Sequence, residues 1–236
     1  MITIGTWNLD WAFTRSPQQY SEVLNAHRAD LWVLTETRDL VCPAEHQNVV
    51  HGPQRPRDDV RKWTQDSRWV SIWSRWPLEQ IPTRADPTRV VCARVSPSGM
   101  QPFLAYGTVL PWNGDRLYRK QDKRRAIERQ VDEWRSLIQE HHDCSLIVVG
   151  DYNQRMSQQK SFPSETLQGA IELGLQELKL TCLTSPQRVG HLWPYHVIDH
   201  ISVPNEIAAE FCFETAWLAD PALSDHGGIV VSRRMS

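Results

Sequence analysis

The stretch Val148-Val149-Gly150-Asp151-Tyr152-Asn153 ends an apolar run, Leu146–Val149, and places a carboxylate and a carboxamide just beyond it. The run reads as a fully apolar strand. Asp151 and Asn153 then stand where side chains leave a core and meet solvent. An aspartate there can orient or deprotonate a water, and an asparagine can hydrogen-bond a phosphate oxygen or fix its neighbour. Taken alone, Gly-Asp and Asn are also ordinary turn residues. Recurrence of the pattern elsewhere decides between the two readings.

It recurs along the chain. Leu223-Ser224-Asp225-His226-Gly227-Gly228 leads into the apolar Ile229–Val231, and its histidine can carry positive charge against phosphate when a carboxylate partners it. Ile198-Asp199-His200-Ile201 can supply that partner. Asp30-Leu31-Trp32-Val33-Leu34-Thr35-Glu36 reads as a buried strand ending in a carboxylate, and Thr3–Trp11 as a strand opening into Asn8 and Asp10. Asp10, Glu36 and Asp225 are oxygen ligands of the kind magnesium or manganese prefers. Each group alone reads as a turn or a solvated carboxylate. Together they are polar clusters at successive strand ends, where layered folds commonly assemble active sites.

Further strands are expected at 69–73, 90–95, 103–110, 197–203 and 211–217. Helices are expected after Ser16-Pro17, whose serine caps and whose proline suits the first helical position. A long one falls between Arg119 and His141, where Ile127, Val131, Trp134 and Ile138 share a face, and another spans about 164–173. The proline-bearing stretch from Val41 to Ser67 reads as a long loop. Strands alternating with a few helices give an α/β or α+β class.

At 236 residues the chain is within reach of one large sandwich or barrel, and it contains no repeat or Gly/Ser linker, so one domain over residues 1–236 is expected. A formal charge of −2 excludes the electrostatic signature of strong non-specific nucleic-acid binding, so any polyanion site must be local. The first residues lack a signal-peptide pattern, and no apolar run approaches the roughly 20 residues that a membrane span needs. The expectation is a soluble, cytoplasmic monomer without membrane insertion. Five scattered cysteines without a C-x-x-C pair read as reduced packing residues.

The ordered segments W-N-L-D-W, L-T-E-T, V-G-D-Y-N, I-D-H-I and S-D-H-G-G, from about Ile2 to Val231, resemble the endonuclease/exonuclease/phosphatase superfamily, the deoxyribonuclease I-like proteins. The resemblance implies a two-sheet, four-layer α/β sandwich with its site in a groove at one edge of the sheets. It implies Glu36 as principal metal ligand, with Asp10 and Asp225 in or near the shell of a Mg2+ or Mn2+ ion. It implies Asp151 as the group that activates the attacking water, Asn8 and Asn153 as its holders, and His226, paired with Asp199, against the scissile phosphate. One departure stands out: many members carry a histidine or tyrosine where this chain has Tyr106-Gly107-Thr108-Val109-Leu110-Pro111-Trp112. Neither Val109 nor Leu110 can help a leaving group through its side chain.

Trp112 and Trp193 are candidate exposed stacking residues, whereas Trp7, Trp32, Trp134 and Trp217 fall in core-like patterns. Arg75, in Trp73-Ser74-Arg75-Trp76-Pro77, is a candidate phosphate contact. His191, Trp193, Tyr195 and His196 are expected to form a wall of the site, and His200 to be structural. The expected activity is divalent-metal-dependent phosphodiester hydrolysis, with nucleic acid, DNA or RNA, as substrate. An inositol phosphate, phospholipid or other small phosphoester is the alternative substrate class, and a catalytically idle nucleic-acid or protein binding module is the alternative of a different kind.

Overall fold

The structure is a computed structural model that describes residues 1–12, 15–54, 64–116, 118–119, 121–156, 165–189, 197–218 and 220–234. Along the chain run β1 (Ile2–Asn8), α1 (Pro17–His27), β2 (Leu31–Arg38), β3 (Asn48–His51), β4 (Ser67–Ser74), β5 (Leu78–Ile81), β6 (Val90–Val95) and β7 (Phe103–Val109). There follow α2 (Asp122–Glu140), β8 (Ser145–Asp151), α3 (Glu165–Glu177), β9 (Leu180–Cys182), α4 (Pro186–Val189), β10 (Asp199–Pro204), β11 (Phe211–Trp217) and β12 (Gly228–Arg233).

The strands form two six-stranded sheets, ordered β11-β12-β1-β2-β4-β3 and β5-β6-β7-β8-β10-β9. Both sheets are mixed in the same way. Each has one parallel pair at its centre, β1/β2 or β7/β8, flanked on both sides by antiparallel neighbours. Parallel neighbours need a crossover that returns the chain to its starting edge, and α1 and α2 provide the two crossovers. Both strands of a parallel pair therefore end at the same edge. Asn8 lies beside Thr35 there in the first sheet, and Val109 beside Asp151 in the second. The antiparallel neighbours β10 and β12 begin at that edge, with Asp199 and Gly228.

Apolar alternation fixes the layers. Ile4, Leu31, Val33, Ile72, Val149, Ile201 and Val231 meet between the sheets. Trp7, Leu34 and Trp32 point the other way, with Tyr20 and Leu24 of α1. Ile127, Val131 and Trp134 of α2 pack with Leu146, Val148 and the buried side chains of α3. The expected four-layer α/β sandwich is thus observed. At α1, the Gln19 side chain accepts the Ser16 N–H at 3.2 Å, and Arg28 closes the helix in the left-handed region (φ 44°).

The structure departs from the sequence expectation at the sheet edges. The stretch expected to be a loop from Val41 to Ser67 contains β3, and β5, β9 and α4 had no counterpart in the expected elements. β2 runs past Glu36 to Arg38. All five cysteines are free, as expected. No helix among the described residues is long and apolar enough to cross a membrane.

Candidate active site

Asp151 closes β8 under unusual constraint. Gly150 before it has φ 137°, and a Cβ at that position would fall 2.1 Å from the Thr108 carbonyl oxygen, so only glycine lets β8 pass this close to β7. The Asp151 carbonyl then accepts the Leu110 N–H at 2.8 Å. The residue is 1% exposed, and both carboxylate oxygens accept hydrogen bonds. Oδ1 accepts the Asn153 backbone N–H at 2.7 Å, and Oδ2 accepts Nδ2 of Asn153 at 3.0 Å and Nδ2 of Asn8 at 3.1 Å. Asn153 sits at φ 54°, a left-handed position that asparagine tolerates, and its amide also reaches the Leu110 carbonyl at 3.0 Å. The Asn8 contact crosses from the first sheet to the second. Burial, and then the neighbouring Asp199 carboxylate, push the Asp151 carboxyl up to about 7 against the pull of His226 and the N–H donors.

His226 arrives from the loop before β12, which is pinned on three sides. The Ser224 hydroxyl donates to the Asn8 carbonyl at 2.7 Å and accepts the His226 N–H at 3.0 Å, while the Trp7 indole donates to the His226 carbonyl at 3.1 Å. The imidazole Nδ1 lies 2.6 Å from Asp199 Oδ2. Burial works against a charge on this ring, but the Asp199 carboxylate outweighs it and raises the imidazole to about 10, so the ring is an imidazolium at neutral pH. The other Asp199 oxygen, Oδ1, is buried with no hydrogen-bond partner among the described residues.

Ligand-type atoms of Asp151, Asp199 and His226 lie within 4.8 Å of one another. Because Nδ1 shares its proton with Asp199, this trio is suited to holding and moving protons more than to ligating an ion. Glu36 and Asp10 form a different neighbourhood. Asp10 belongs to a short turn at Asp10–Ala12 whose three residues all have positive φ, and the Leu9 N–H just before it donates to the Thr35 carbonyl at 2.9 Å. Glu36 follows Thr35, has φ 46°, and marks a gap in the β2/β4 ladder between Thr35 and Thr37. Both carboxylates are half-buried, and both adjoin Asn8 through the backbone. Asp225 is the outlying member: its side chain is 80% exposed, with Oδ1 3.8 Å from His226 Nε2.

Of the candidate substrate contacts, Arg75 is not brought to this edge. β4 runs antiparallel to β2, pairing Leu31 with Ser74 and Arg38 with Ser67, so Arg75 emerges at the opposite end. There it pairs with Asp30 at 3.1 Å and Glu45 at 2.7 Å. Trp112 is half-buried beside the site, 6.4 Å from the Trp69 ring. Trp193, with His191, Tyr195 and His196, lies outside the described residues, as does Trp63. His200, expected to be structural, is buried and hydrogen-bonded to Thr184 and to the Gln154 carbonyl on the other face of β10.

Sequence reasoning passed over Arg89. Its carbonyl accepts the Val109 N–H at 3.0 Å, and its buried guanidinium pairs with Asp115 while lying 4.3 Å from the Trp69 ring centre and 5.1 Å from that of Trp112. This pair anchors the loop that follows β7 and carries Trp112. No motif announces it, since the partners are 26 residues apart and neither stands in a recognisable pattern.

The sequence matches the profile of the Endonuclease/Exonuclease/phosphatase family over residues 5–226. No curated protein sequence matches the chain. Among solved structures, a 3' phosphatase from Neisseria bound to product DNA hairpin superposes with a TM-score of 0.70 at 19% identity, with 100% of each chain covered. An AP endonuclease from Leishmania major gives a TM-score of 0.72 at 12% identity, covering 99% of this chain and 88% of that one. An AP endonuclease from Archaeoglobus fulgidus gives 0.69 at 16% identity, with 100% of each covered. At such identities these likenesses establish the fold.

Proposed function

The chain belongs to the endonuclease/exonuclease/phosphatase family of hydrolytic phosphoesterases, and from that premise we propose that it is a divalent-metal-dependent nuclease cleaving phosphodiesters by in-line attack of water. The observation that carries the reading is the buried Asp151 carboxylate, held by Asn8 from one sheet and Asn153 from the other, beside the Asp199/His226 pair.

The donor set fits a hard cation. Glu36 and Asp10 offer carboxylate oxygens at half-buried strand ends, with Asp225 available from the far rim, and Mg2+ or Mn2+ takes such ligands. When bound, the ion supplies charge neutralisation at the phosphoryl and leaving oxygens.

The protein's own groups do the rest. Asp151, poised near 7, accepts the proton of the attacking water, and the three N–H bonds fix the direction in which its remaining lone pairs face. His226, charged and oriented by Asp199, sets a positive charge against the phosphoryl oxygens as negative charge builds there. Val109 is fully buried between the sheets, so β7 offers no side chain to the leaving group. Trp112 supplies an aromatic wall on which a base can stack. DNA is favoured as substrate because the Neisseria relative of the same fold is described with a product DNA hairpin.

A panel of duplex DNA, abasic-site DNA, RNA, a phosphoinositide and a generic phosphodiester, each with Mg2+, Mn2+ or chelator, tests the proposal. Metal-dependent cleavage of nucleic acid, lost in Asp151→Asn, is the expected result. Intact nucleic acid under all conditions, with turnover of the phosphoinositide alone, would overturn the substrate assignment. Binding without any turnover would overturn the enzyme.

A further inference from the structure

On the outer face of the second sheet, away from the groove, Cys182 faces a histidine. Its Sγ lies 3.5 Å from Nδ1 of His200 and 3.8 Å from the Thr184 hydroxyl. The orientation of that imidazole is settled by its far side, where Nε2 lies 2.9 Å from the Gln154 carbonyl oxygen. A carbonyl can only accept, so Nε2 carries a hydrogen, and Nδ1 faces both the thiol and the Thr184 hydroxyl oxygen, the latter 2.9 Å away. The Thr184 hydroxyl oxygen accepts the Ile201 N–H at 3.1 Å, which leaves its own hydrogen for Nδ1 or for sulfur. A thiol beside an imidazole whose other nitrogen is tied to an acceptor is the arrangement that activates nucleophilic cysteines.

The chain's other thiols lack this setting. Cys92 and Cys144 are buried, and burial pushes Cys92 up to about 12. Cys42 is exposed but raised by partial burial of its sulfur. Cys212 lies 3.5 Å from the Glu214 carboxylate, with no histidine beside it in the described contacts. At Cys182 burial also works upward, but the charge and hydrogen bond of His200 outweigh it and hold the thiol below its ordinary value. Cys182 is half-buried and lines an open groove of about 500 Å3 between α3, β9 and α4, with Gln176, Ser185, Gln187 and Arg188 around it. A small reagent has room there.

We propose that Cys182 is a thiol-modification site that undergoes exchange with low-molecular-weight disulfides entering this groove. His200 Nδ1 takes the thiol proton, and the Cys182 sulfur attacks one sulfur of the disulfide. The S–S bond of the reagent breaks as the mixed disulfide forms, and the departing thiolate takes the proton back from His200. The net reaction is one thiol and one disulfide giving one mixed disulfide and one free thiol. His200 follows Asp199 on β10, with its side chain turned to the other face of the sheet, and the test reads the thiol alone, so it does not need the substrate to be known.

The test treats the folded protein at pH 7 with limiting dithiodipyridine, a small neutral disulfide, and locates the adducts by peptide mass spectrometry. Cys182 is expected to react at least about tenfold faster than the more exposed Cys42, since reactivity follows thiolate content and access. In His200→Gln, with folding checked by circular dichroism, the Cys182 rate is expected to fall to that of Cys42 or below. The wild-type rate order decides by itself if that variant does not fold. Cys42 reacting first, or Cys182 reacting only when the protein is unfolded, would overturn the proposal, as would an unchanged Cys182 rate in a folded His200→Gln.

Discussion

Near the end of β2, Glu36 is half-exposed at a left-handed backbone position beside a turn; at the matching end of β8, Asp151 is 1% exposed and accepts three N–H bonds. Both lie on the second strand of a parallel pair, after a crossover helix and at the same edge, although β2 continues two residues past Glu36. Their surroundings differ. A half-exposed carboxylate is within reach of a hard cation from solvent. A buried one with a second carboxylate nearby resists ionisation despite the N–H bonds it accepts, and becomes a base near neutrality. The first strands of the two pairs differ similarly: β1 delivers Asn8 to Asp151, whereas β7 ends in the buried Val109. The two ends are therefore asymmetric in their surroundings, and in the roles proposed for them, although they stand on two similarly wound sheets.

The largest effect expected from breaking this comparison is at the buried end. Asp151→Asn should lower single-turnover cleavage about a thousandfold, within the usual range for loss of a general base, while nucleic-acid affinity measured by fluorescence anisotropy stays within a few-fold. A parallel loss of affinity would mean that Asp151 serves binding. At the half-exposed end, Glu36→Gln should raise the Mg2+ concentration for half-maximal rate by about tenfold or more, in line with losing one carboxylate from a hard-cation site. Asp151→Asn should leave that concentration nearly unchanged in a metal-binding titration, and equal shifts in both variants would erase the division between the two ends.

Stability should carry the same signature. His226 is raised from 6.5 to about 10, so its contribution is complete below 6.5 and is lost as pH rises through 10. Asp151 is raised from 3.8 to about 7, so the folded state holds that proton more tightly and stability also falls between those values as pH rises. Urea midpoints followed from pH 4 to 10 should decline across both windows, with His226→Asn removing the upper limb and Asp151→Asn the lower.

The smallest effects belong to peripheral groups. Trp112→Ala should raise KM for nucleic acid about fivefold with little change in kcat, the low end of the ~1–3 kcal/mol of one stacked base. Arg75→Ala, at the far end of the sheet, should leave cleavage within twofold and cost at most about 1 kcal/mol of stability, as expected for an exposed ion pair.

Which parts of this arrangement could be read in the sequence follows from how much local signal each carried. Central strands such as β2 and β8 announce themselves because both faces are buried and the apolar run stops abruptly at a polar residue, which located Glu36 and Asp151 together. The edge strands β3, β5 and β9 have four, four and three residues with half-exposed faces, too little to show a period. Direction is also invisible locally. Arg75 follows a strand as Asp151 does, but β4 runs the other way, and only the register of β2 with β4 reveals it. Arg89 and Asp115 become partners only when β6 and the loop after β7 are brought together, so neither could be singled out beforehand.

The base in the proposed mechanism is a buried aspartate, joined to both sheets by asparagine amides. The most direct test of this role is the pH dependence of single-turnover cleavage by the wild-type protein at saturating Mg2+. The expected rate climbs about tenfold per pH unit on the acid side, bends at or below the neutral range, and levels above it as Asp151 becomes fully ionised. A rate that stays flat from pH 4 to 9, or that falls as pH rises through this range, would contradict the assignment.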